Sequence, residues 1–364
     1  MSRLIEAMFL EVETQVKDNR PVFLTGDFCN WNPSNPDFVM DRVDEGRFRI
    51  SLDKVPDLVE KSYYKYTKGG WDHVELDVLG NSPRNRLFDL EELQQPDFVP
   101  LWRQNGYTPY YEETMPVVEI FSEAFEIPQL KRKRKISVLL PHDYHTNTEK
   151  RYPVLYMNDA QNLFGKGSAY GNWEIDKRIS LLKSQGETDV IVVAIDHGDE
   201  TRNSEYSPYK TPKENQKGEG MRYATFIVRT LKPLIDEQYR TLPERQFTGI
   251  GGSSMGGLIS IYTGMMYPEK IGRLMVFSPA LWTSPKIYFD AVEFFNPLDT
   301  RIYLYGGGKE SSTMFSNIEK LIATIEGQGF SSEKVQIKAE LDPEGLHNEK
   351  RWGQEFPKAL KWLF

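Results

Sequence analysis

The sequence predicts an α/β protein with a mostly parallel sheet, preceded by a smaller all-β module. Three observations carry this. Short β-prone runs separated by turn residues fill the front of the chain, up to about Asp97. From Val117 onward, apolar runs alternate with amphipathic helical patterns. One of those runs leads directly into Gly252-Ser253-Ser254-Met255-Gly256, a tight strand-to-helix turn. The expected organisation is a β-module over 1–97, a linker over 98–116 and an α/β domain over 117–364.

In the front module, Phe9 to Val12 and Val22 to Thr25 are short and β-prone, and Lys61 to Thr67 is rich in aromatics. Arg47 to Leu52 and Val74 to Val78 alternate polar and apolar residues. Gly26-Asp27, Asn32-Pro33 and Gly69-Gly70 punctuate these runs as turns. The pattern predicts an antiparallel sandwich of immunoglobulin-like size. Between Glu91 and Met115 the sequence turns irregular, and Pro96, Pro100, Pro109 and Pro116 break any regular element. Residues 98–116 are therefore read as the link, with Trp102 and the tyrosines packing it against a domain surface.

The α/β domain shows apolar runs at Ile136 to Leu140, Val154 to Met157, Val190 to Ile195, Phe247 to Ile250, Leu274 to Phe277, Ile302 to Tyr305 and Val335 to Ala339. Continuous apolar strands need cover on both faces, which helices provide. Ile175, Ile179 and Leu182 recur at helical spacing behind Asn172, which is placed as the cap. Tyr223, Phe226, Ile227, Leu231, Leu234 and Ile235 make one face of a longer helix that Pro233 should bend or limit. The basic run Lys131 to Lys135 reads as a solvated strand end or linker.

Gly252 to Gly256 fits G-x-S-x-G, with a strand before it and a helix pattern after it. The glycines are needed because a side chain there would meet the neighbouring strand and helix. Such a turn lifts the Ser254 hydroxyl out of the sheet. It also sets the Met255 amide at a helix start, where negative charge is stabilised. A serine near neutral pH needs a base. Of five histidines, His73, His142, His145 and His197 precede Ser254, and only His347 follows it. The chain order Ser, acid, His selects His347. For the acid, Glu310 after the strand Ile302 to Tyr305 is the first candidate, and Asp342 and Glu344 are rivals. The second oxyanion amide is expected from Ala160, or from Gln161 beside it. Asp159 would anchor that loop, pointing away or paired. Trp282, with Trp173 nearby, is a candidate pocket wall, and Gln161, Arg202 and Glu205 are candidate substrate contacts. Core packing for the tryptophans and an ion pair for Arg202 and Glu205 are the competing roles.

Composition narrows the alternatives. The chain has 364 residues, 39% hydrophobic and 27% charged, which suits globular domains rather than disorder. A net charge of -8 argues against a general nucleic-acid binder. The one cysteine, Cys29, excludes an intramolecular disulfide. No apolar stretch approaches a bilayer-spanning length, and acids interrupt the N-terminal segment where a signal peptide would be apolar. No membrane association and a cytoplasmic location are expected, with secretion only for a precursor carrying a leader. No metal ligand cluster, phosphate loop or dinucleotide fingerprint is found, so no cofactor is expected.

Two resemblances follow from these motifs. "VFLTGDFCNWNP" and "KYTKGGW" resemble the family 48 glycogen- and starch-binding modules. That resemblance implies polysaccharide binding by Trp31 and Trp71, which would stack on sugar rings, aided by Lys65; the competing role for Trp31 is core filling. From about Val118 to Phe364 the chain resembles the esterase D family of α/β-hydrolases, through "RYPVLYMNDAQNLF", "IDHGDETRNSEYSPY", "GGSSMGG", "FSPALW", "YGGGKES" and "EGLHNEKRW". That family includes feruloyl and acetyl-xylan esterases of carbohydrate esterase family 1 and enterobactin-type siderophore esterases. The resemblance implies a Ser254, Glu310, His347 triad acting on a small-molecule or glycan ester. Many relatives read D-G-Q or H-G where this chain has Asp159-Ala160-Gln161. The expected activity is release of a feruloyl- or acetyl-type acyl group from a carbohydrate ester. A siderophore trilactone esterase is the second reading, and a carbohydrate-binding protein with a retired hydrolase domain is the third.

Overall fold

The computed structural model describes residues 8–91, 95–187, 189–210, 217–292, 298–329 and 334–364. The chain divides into two compact units, Met1–Tyr110 and Tyr111–Phe364.

The front unit contains β1 (Phe9–Thr14), β2 (Phe23–Gly26), β3 (Asp41–Asp44), β4 (Arg47–Ser51), β5 (Tyr63–Thr67), β6 (Glu75–Leu76), β7 (Arg86–Leu87), β8 (Asp97–Val99) and β9 (Leu101–Trp102). They pair in the orders β3-β4-β1-β8, β2-β5-β7 and β6-β9. Alternate residues of these strands, among them Leu10, Val12, Leu24, Ile50 and Tyr66, form one buried cluster. Two expectations are corrected. The unit is not wholly antiparallel, because β1 and β8 run parallel. The link also does not begin at residue 98. Pro96 and Pro100 flank two very short strands instead of abolishing them, and ladder bonds hold residues 97–102 in the front unit. Trp102 is buried in that unit's core, where its indole N–H donates to Thr14 Oγ1 at 2.8 Å.

The back unit opens with a 3-10 turn, Glu112–Thr114, hydrogen-bonded to Ser180. Its strands are β10 (Val117–Ile127), β11 (Arg132–Leu140), β12 (Val154–Asn158), β13 (Ile191–Ile195), β14 (Thr248–Ser253), β15 (Arg273–Phe277), β16 (Thr300–Gly307) and β17 (Val335–Asp342). They form one sheet in the order β10-β11-β13-β12-β14-β15-β16-β17. The first two pairings, β10/β11 and β11/β13, are antiparallel and the rest are parallel. The helices are α1 (Ile175–Ser184), α2 (Arg202–Tyr206), α3 (Gly220–Phe226), α4 (Lys232–Gln238), α5 (Met255–Met266), α6 (Ile287–Val292), α7 (Met314–Glu326) and α8 (Glu349–Leu363). Strand order reverses at β12, which has β13 on one side and β14 on the other. In such sheets ligands bind outside the carboxyl ends of the strands at the reversal. The ends of β12 and β14 carry Ala160 and Ser254.

Local departures have physical causes. Pro233 neither stops nor simply kinks its helix. A π-helical turn, Ile227–Leu231, joins α3 to α4 just before it, widening the spiral where Pro233 has no N–H to give. Asn172 does not cap α1; its side chain accepts the Glu174 N–H at 2.8 Å in an Asx turn, and Glu174 takes the capping position at φ 56°. The basic run is a solvated strand end in its lysines but not in its arginines. Arg132 and Arg134 extend from β11 to the fully buried Glu205, and Arg132 also donates to Glu219 at 2.8 Å. Among the described residues, no helix is long and apolar enough to cross a membrane.

Candidate active site

Ser254 sits between β14 and α5 at φ 55° and ψ −122°. A non-glycine residue in that region carries strain on the order of 1–3 kcal/mol. The surrounding backbone holds it there. Its N–H donates to Phe277 O at 2.9 Å, and its carbonyl accepts from Leu258 and Ala280, each at 3.0 Å. The glycines are explained by contact. A Cβ on Gly252 would lie 3.0 Å from the Gly256 carbonyl carbon, and one on Gly256 would lie 2.9 Å from Asp159 Oδ2. Helix α5 is therefore pressed onto the strand ends, with its first amide, that of Met255, beside the serine.

His347 follows β17 and immediately precedes Asn348, whose side chain caps α8 by accepting the Arg351 N–H at 3.0 Å. The imidazole packs edge-on against Trp352 at 4.8 Å. Its Nδ1 bonds Glu310 Oε2 at 2.7 Å, which leaves Nε2 as the ring nitrogen open to a hydroxyl. Glu310 is buried, and its other oxygen accepts from Ser278 Oγ at 2.6 Å and the Gly307 N–H at 2.8 Å. Ser278 in turn accepts the Trp352 indole N–H at 2.8 Å. The two rival acids are engaged elsewhere: Asp342 with Arg351, and Glu344 with Lys309 at the surface. Glu310→Gln keeps the size but removes the charge and disturbs the tautomer. It is expected to lower kcat by roughly a thousand- to ten-thousand-fold in an ester assay. Asp342→Asn should leave kcat on the wild-type scale.

The turn after β12 begins with Asp159 in the left-handed region at φ 63° and ψ 49°. Its hydrogen bonds, Asn162 N–H to Asp159 O and Leu163 N–H to Ala160 O, use carbonyls rather than the amides of residues 160 and 161. Asp159 is held by a two-pronged pair with Arg202, Nε to Oδ1 at 2.7 Å and Nη2 to Oδ2 at 2.8 Å. The buried Asn158 joins this turn to the elbow. Its Nδ2 donates to Gly251 O, Gly256 O and Ser260 Oγ at 3.0–3.3 Å, and its Oδ1 accepts from Tyr223 at 2.8 Å.

Ser254, His347, Trp352, Arg202, Asn162 and Glu349 all line one cavity of about 590 Å³. Several expected contacts fall elsewhere. Gln161 is spent on the His197 main chain, with Nε2 donating to its carbonyl at 3.2 Å and Oε1 accepting its N–H at 3.0 Å. Trp282 is 49% exposed and is not among the lining residues, while Trp173 is buried against Phe277 and Trp352. Arg202 and Glu205 each lie in an ion pair, but not with one another. In the front unit, the Trp31 and Trp71 rings lie 6.4 Å apart and Trp71 is 41% exposed. The Lys65 ammonium is buried on the Pro83 and Arg84 carbonyls, so it is not free for a sugar. Sequence reasoning missed Asn158, Ser278, Trp352, Asn162 and Glu349. All but Ser278, a residue of "FSPALW", flank the named loop residues within the motifs "RYPVLYMNDAQNLF" and "EGLHNEKRW".

Outside the cavity, His142, Asp143 and Asp189 bring three ligand atoms within 4.8 Å of one another. Lys150 and Lys183 already neutralise Asp189, the latter at 2.7 Å. The cluster therefore suits a cation poorly.

A family model described as "Putative esterase" matches residues 127–363. Protein YbbA of Bacillus subtilis, uncharacterised by its description, is 24% identical over 243 residues, covering 64% of this chain and 92% of that one. Among solved structures, the enterobactin esterase FES of Shigella flexneri superposes with a TM-score of 0.56 at 16% identity, covering 100% of this chain and 94% of its own. A CE1 ferulic acid esterase of Anaeromyces mucronatus superposes with a TM-score of 0.53 at 20% identity, covering 70% and 93%. At these identities the structural likeness speaks to fold.

Proposed function

The chain belongs to the esterase family, and on that premise we propose that it is a serine carboxylic-ester hydrolase releasing a feruloyl- or acetyl-type acyl group from a carbohydrate ester. One observation carries this: a strained serine and a Glu310-bound imidazole share one cavity at the carboxyl edge of the sheet. In the proposed mechanism Ser254 Oγ attacks the acyl carbon while His347 Nε2 takes its proton. The amides of Met255 and Ala160 hold the oxyanion. The imidazolium, steadied by Glu310, returns the proton to the departing alcohol. Water, deprotonated by His347, then cleaves the acyl-enzyme and regenerates Ser254.

The siderophore reading has a fold neighbour in its favour, but charge opposes it. A ferric catecholate lactone is strongly anionic. Among the described residues lining the cavity, the one Arg or Lys is Arg202, and Asp159 consumes it. Side-by-side hydrolysis of methyl ferulate, acetylated xylan and a ferric catecholate lactone tests this, with turnover expected on the first two; selective turnover of the lactone would overturn the assignment. The adjacent Trp31 and Trp71 rings support a sugar platform in the front unit. Trp71→Ala should then migrate faster than wild type on a polysaccharide affinity gel, and equal migration would remove the platform.

A further inference from the structure

The proposed base is weakly held by its own loop. His347 lies between β17 and α8 with its side chain 35% exposed. Among the described residues its ring has one hydrogen-bond partner, Glu310 Oε2, at 2.7 Å from Nδ1. A half-exposed side chain on a loop samples several rotamers unless something excludes them. A base displaced by about 1 Å can lose on the order of a hundredfold in rate.

Trp352 closes a circuit around that ring. Its indole packs edge-on against the imidazole at 4.8 Å, with 83° between the planes. From the same indole, Nε1–H donates to Ser278 Oγ at 2.8 Å. Ser278 Oγ–H donates to Glu310 Oε1 at 2.6 Å, and Glu310 Oε2 returns to His347. The indole nitrogen can only donate and an ionised carboxylate can only accept, whereas a hydroxyl does both. Every bond in the circuit therefore has one possible direction, which ends with the proton on Nδ1 and the Nε2 lone pair free, and each bond polarises the next. The circuit is anchored at both far corners. Ser278, the residue after β15, is fully buried at φ 46°, with its N–H on Tyr305 O at 2.7 Å. A serine stays in the left-handed region only where its surroundings over-determine it. Trp352, in the opening turn of α8, is buried, and a Cβ on the next residue, Gly353, would strike the Trp173 carbonyl oxygen, so the helix is seated directly on that backbone.

We propose that Trp352 and Ser278 are positioning residues for the base: the indole sets the plane of the His347 ring, and the serine hydroxyl, oriented by the indole N–H, sets the carboxylate that holds Nδ1. Neither exchanges a proton with the substrate. The two act as one device, because a single indole supplies both the ring contact and the hydrogen bond that starts the relay. The ends of β15 and β16 and the start of α8 are thereby tied together at the loop that carries the base. The inference rests on the esterase reading and adds how the base keeps its aim on a loop open to solvent.

The full-length chain is assayed on p-nitrophenyl acetate, with sites counted by a fluorophosphonate probe taken to completion on Ser254, so that kcat is expressed per assembled site. Ser278→Ala removes the hydroxyl. Trp352→Phe keeps a ring against the imidazole and removes only the N–H donor. Ser278→Ala is expected to lower kcat roughly tenfold, the size of one hydrogen bond to a charged group, and Trp352→Phe roughly fivefold. KM should stay within about twofold of wild type in both, because aim of the base matters in the transition state and not in binding. The double variant should match Ser278→Ala to within about twofold, since the indole N–H acts through a hydroxyl that is already gone. Independent losses would instead multiply to roughly fiftyfold. That product, a wild-type kcat in either single variant, or a loss confined to KM overturns the relay. Should Ser278→Ala yield no labelled protein, Ser278→Gly, which removes the hydroxyl and suits the left-handed backbone, takes its place in the cycle. Wild-type protein that the probe does not label overturns the esterase reading on which the relay stands.

Discussion

Ser254→Ala is expected to lower kcat on p-nitrophenyl acetate by roughly ten-thousand-fold or more, leaving only what the oxyanion amides and binding provide. Alanine keeps the Cβ, and with it the unfavourable φ of 55°, so its thermal midpoint should match wild type. Ser254→Gly separates the two roles of the position. Glycine adopts this backbone region without strain, which recovers about 1–3 kcal/mol, and gives back about 0.5–1 kcal/mol in chain entropy. The net is a variant as inactive as alanine but more stable by about 1 kcal/mol, raising the melting temperature by a few degrees. Calorimetry of the three proteins checks this. A glycine variant that melts below wild type would mean that the elbow carries no strain.

Arg202→Met should produce the largest loss of stability. Asp159 lies almost out of water, and its compensating charge is the two-pronged guanidinium. Burial alone would lower the Arg202 pKa, and the Asp159 charge and its hydrogen bonds more than reverse that. Removing one partner of such a pair leaves an uncompensated buried charge and costs about 3–5 kcal/mol, measurable as a shift in urea midpoint. The same charge would then lie beside the turn that the proposed mechanism uses to hold the oxyanion, so kcat should fall as well. Adding Asp159→Asn should restore most of the stability, since the orphaned charge is gone. It should not restore kcat, which stays at least about tenfold down because the turn presenting Ala160 has lost its clamp. Full recovery of rate in the double variant would show that the clamp serves stability alone. Arg202→Lys is no rescue, because an ammonium cannot match both carboxylate oxygens.

How much was legible in the sequence depended on the range of the interaction. The elbow was, because its spacing is set locally: a Cβ on Gly252 would meet the Gly256 backbone four positions on, although the contact that forces Gly256 itself comes from the distant Asp159. A histidine that shares the cavity with Ser254 could be picked out, because chain order alone sets His347 apart from the other histidines. The acid was only ranked, with Glu310 first, since Glu310, Asp342 and Glu344 all sit near strand ends. Choosing among them required knowing that Ser278 and Gly307 converge on Glu310 while Arg351 and Lys309 take the others. Arg132 and Arg134 read as solvent-facing because their partner Glu205 lies some seventy positions away. Lys65 misled for a related reason: its ammonium is satisfied by the Pro83 and Arg84 carbonyls, which its own strand does not reveal. The polar wall of the cavity was invisible because Asn162 and Glu349, 187 positions apart, become a pair only when the turn after β12 meets the start of α8.

The Asn158 amide has a bearing on how this scaffold can diversify. Because one side chain stitches the turn after β12 to both sides of the elbow and to Tyr223, the turn and the elbow cannot drift independently. Substitutions that retarget the enzyme are therefore most tolerable away from that stitch, in the Ser168–Gly171 hairpin and at the start of α8. Libraries randomised at Ala169, Tyr170 and Glu349 should retain folded, probe-reactive members far more often than libraries of equal size at Asn158, Gly252 and Gly256.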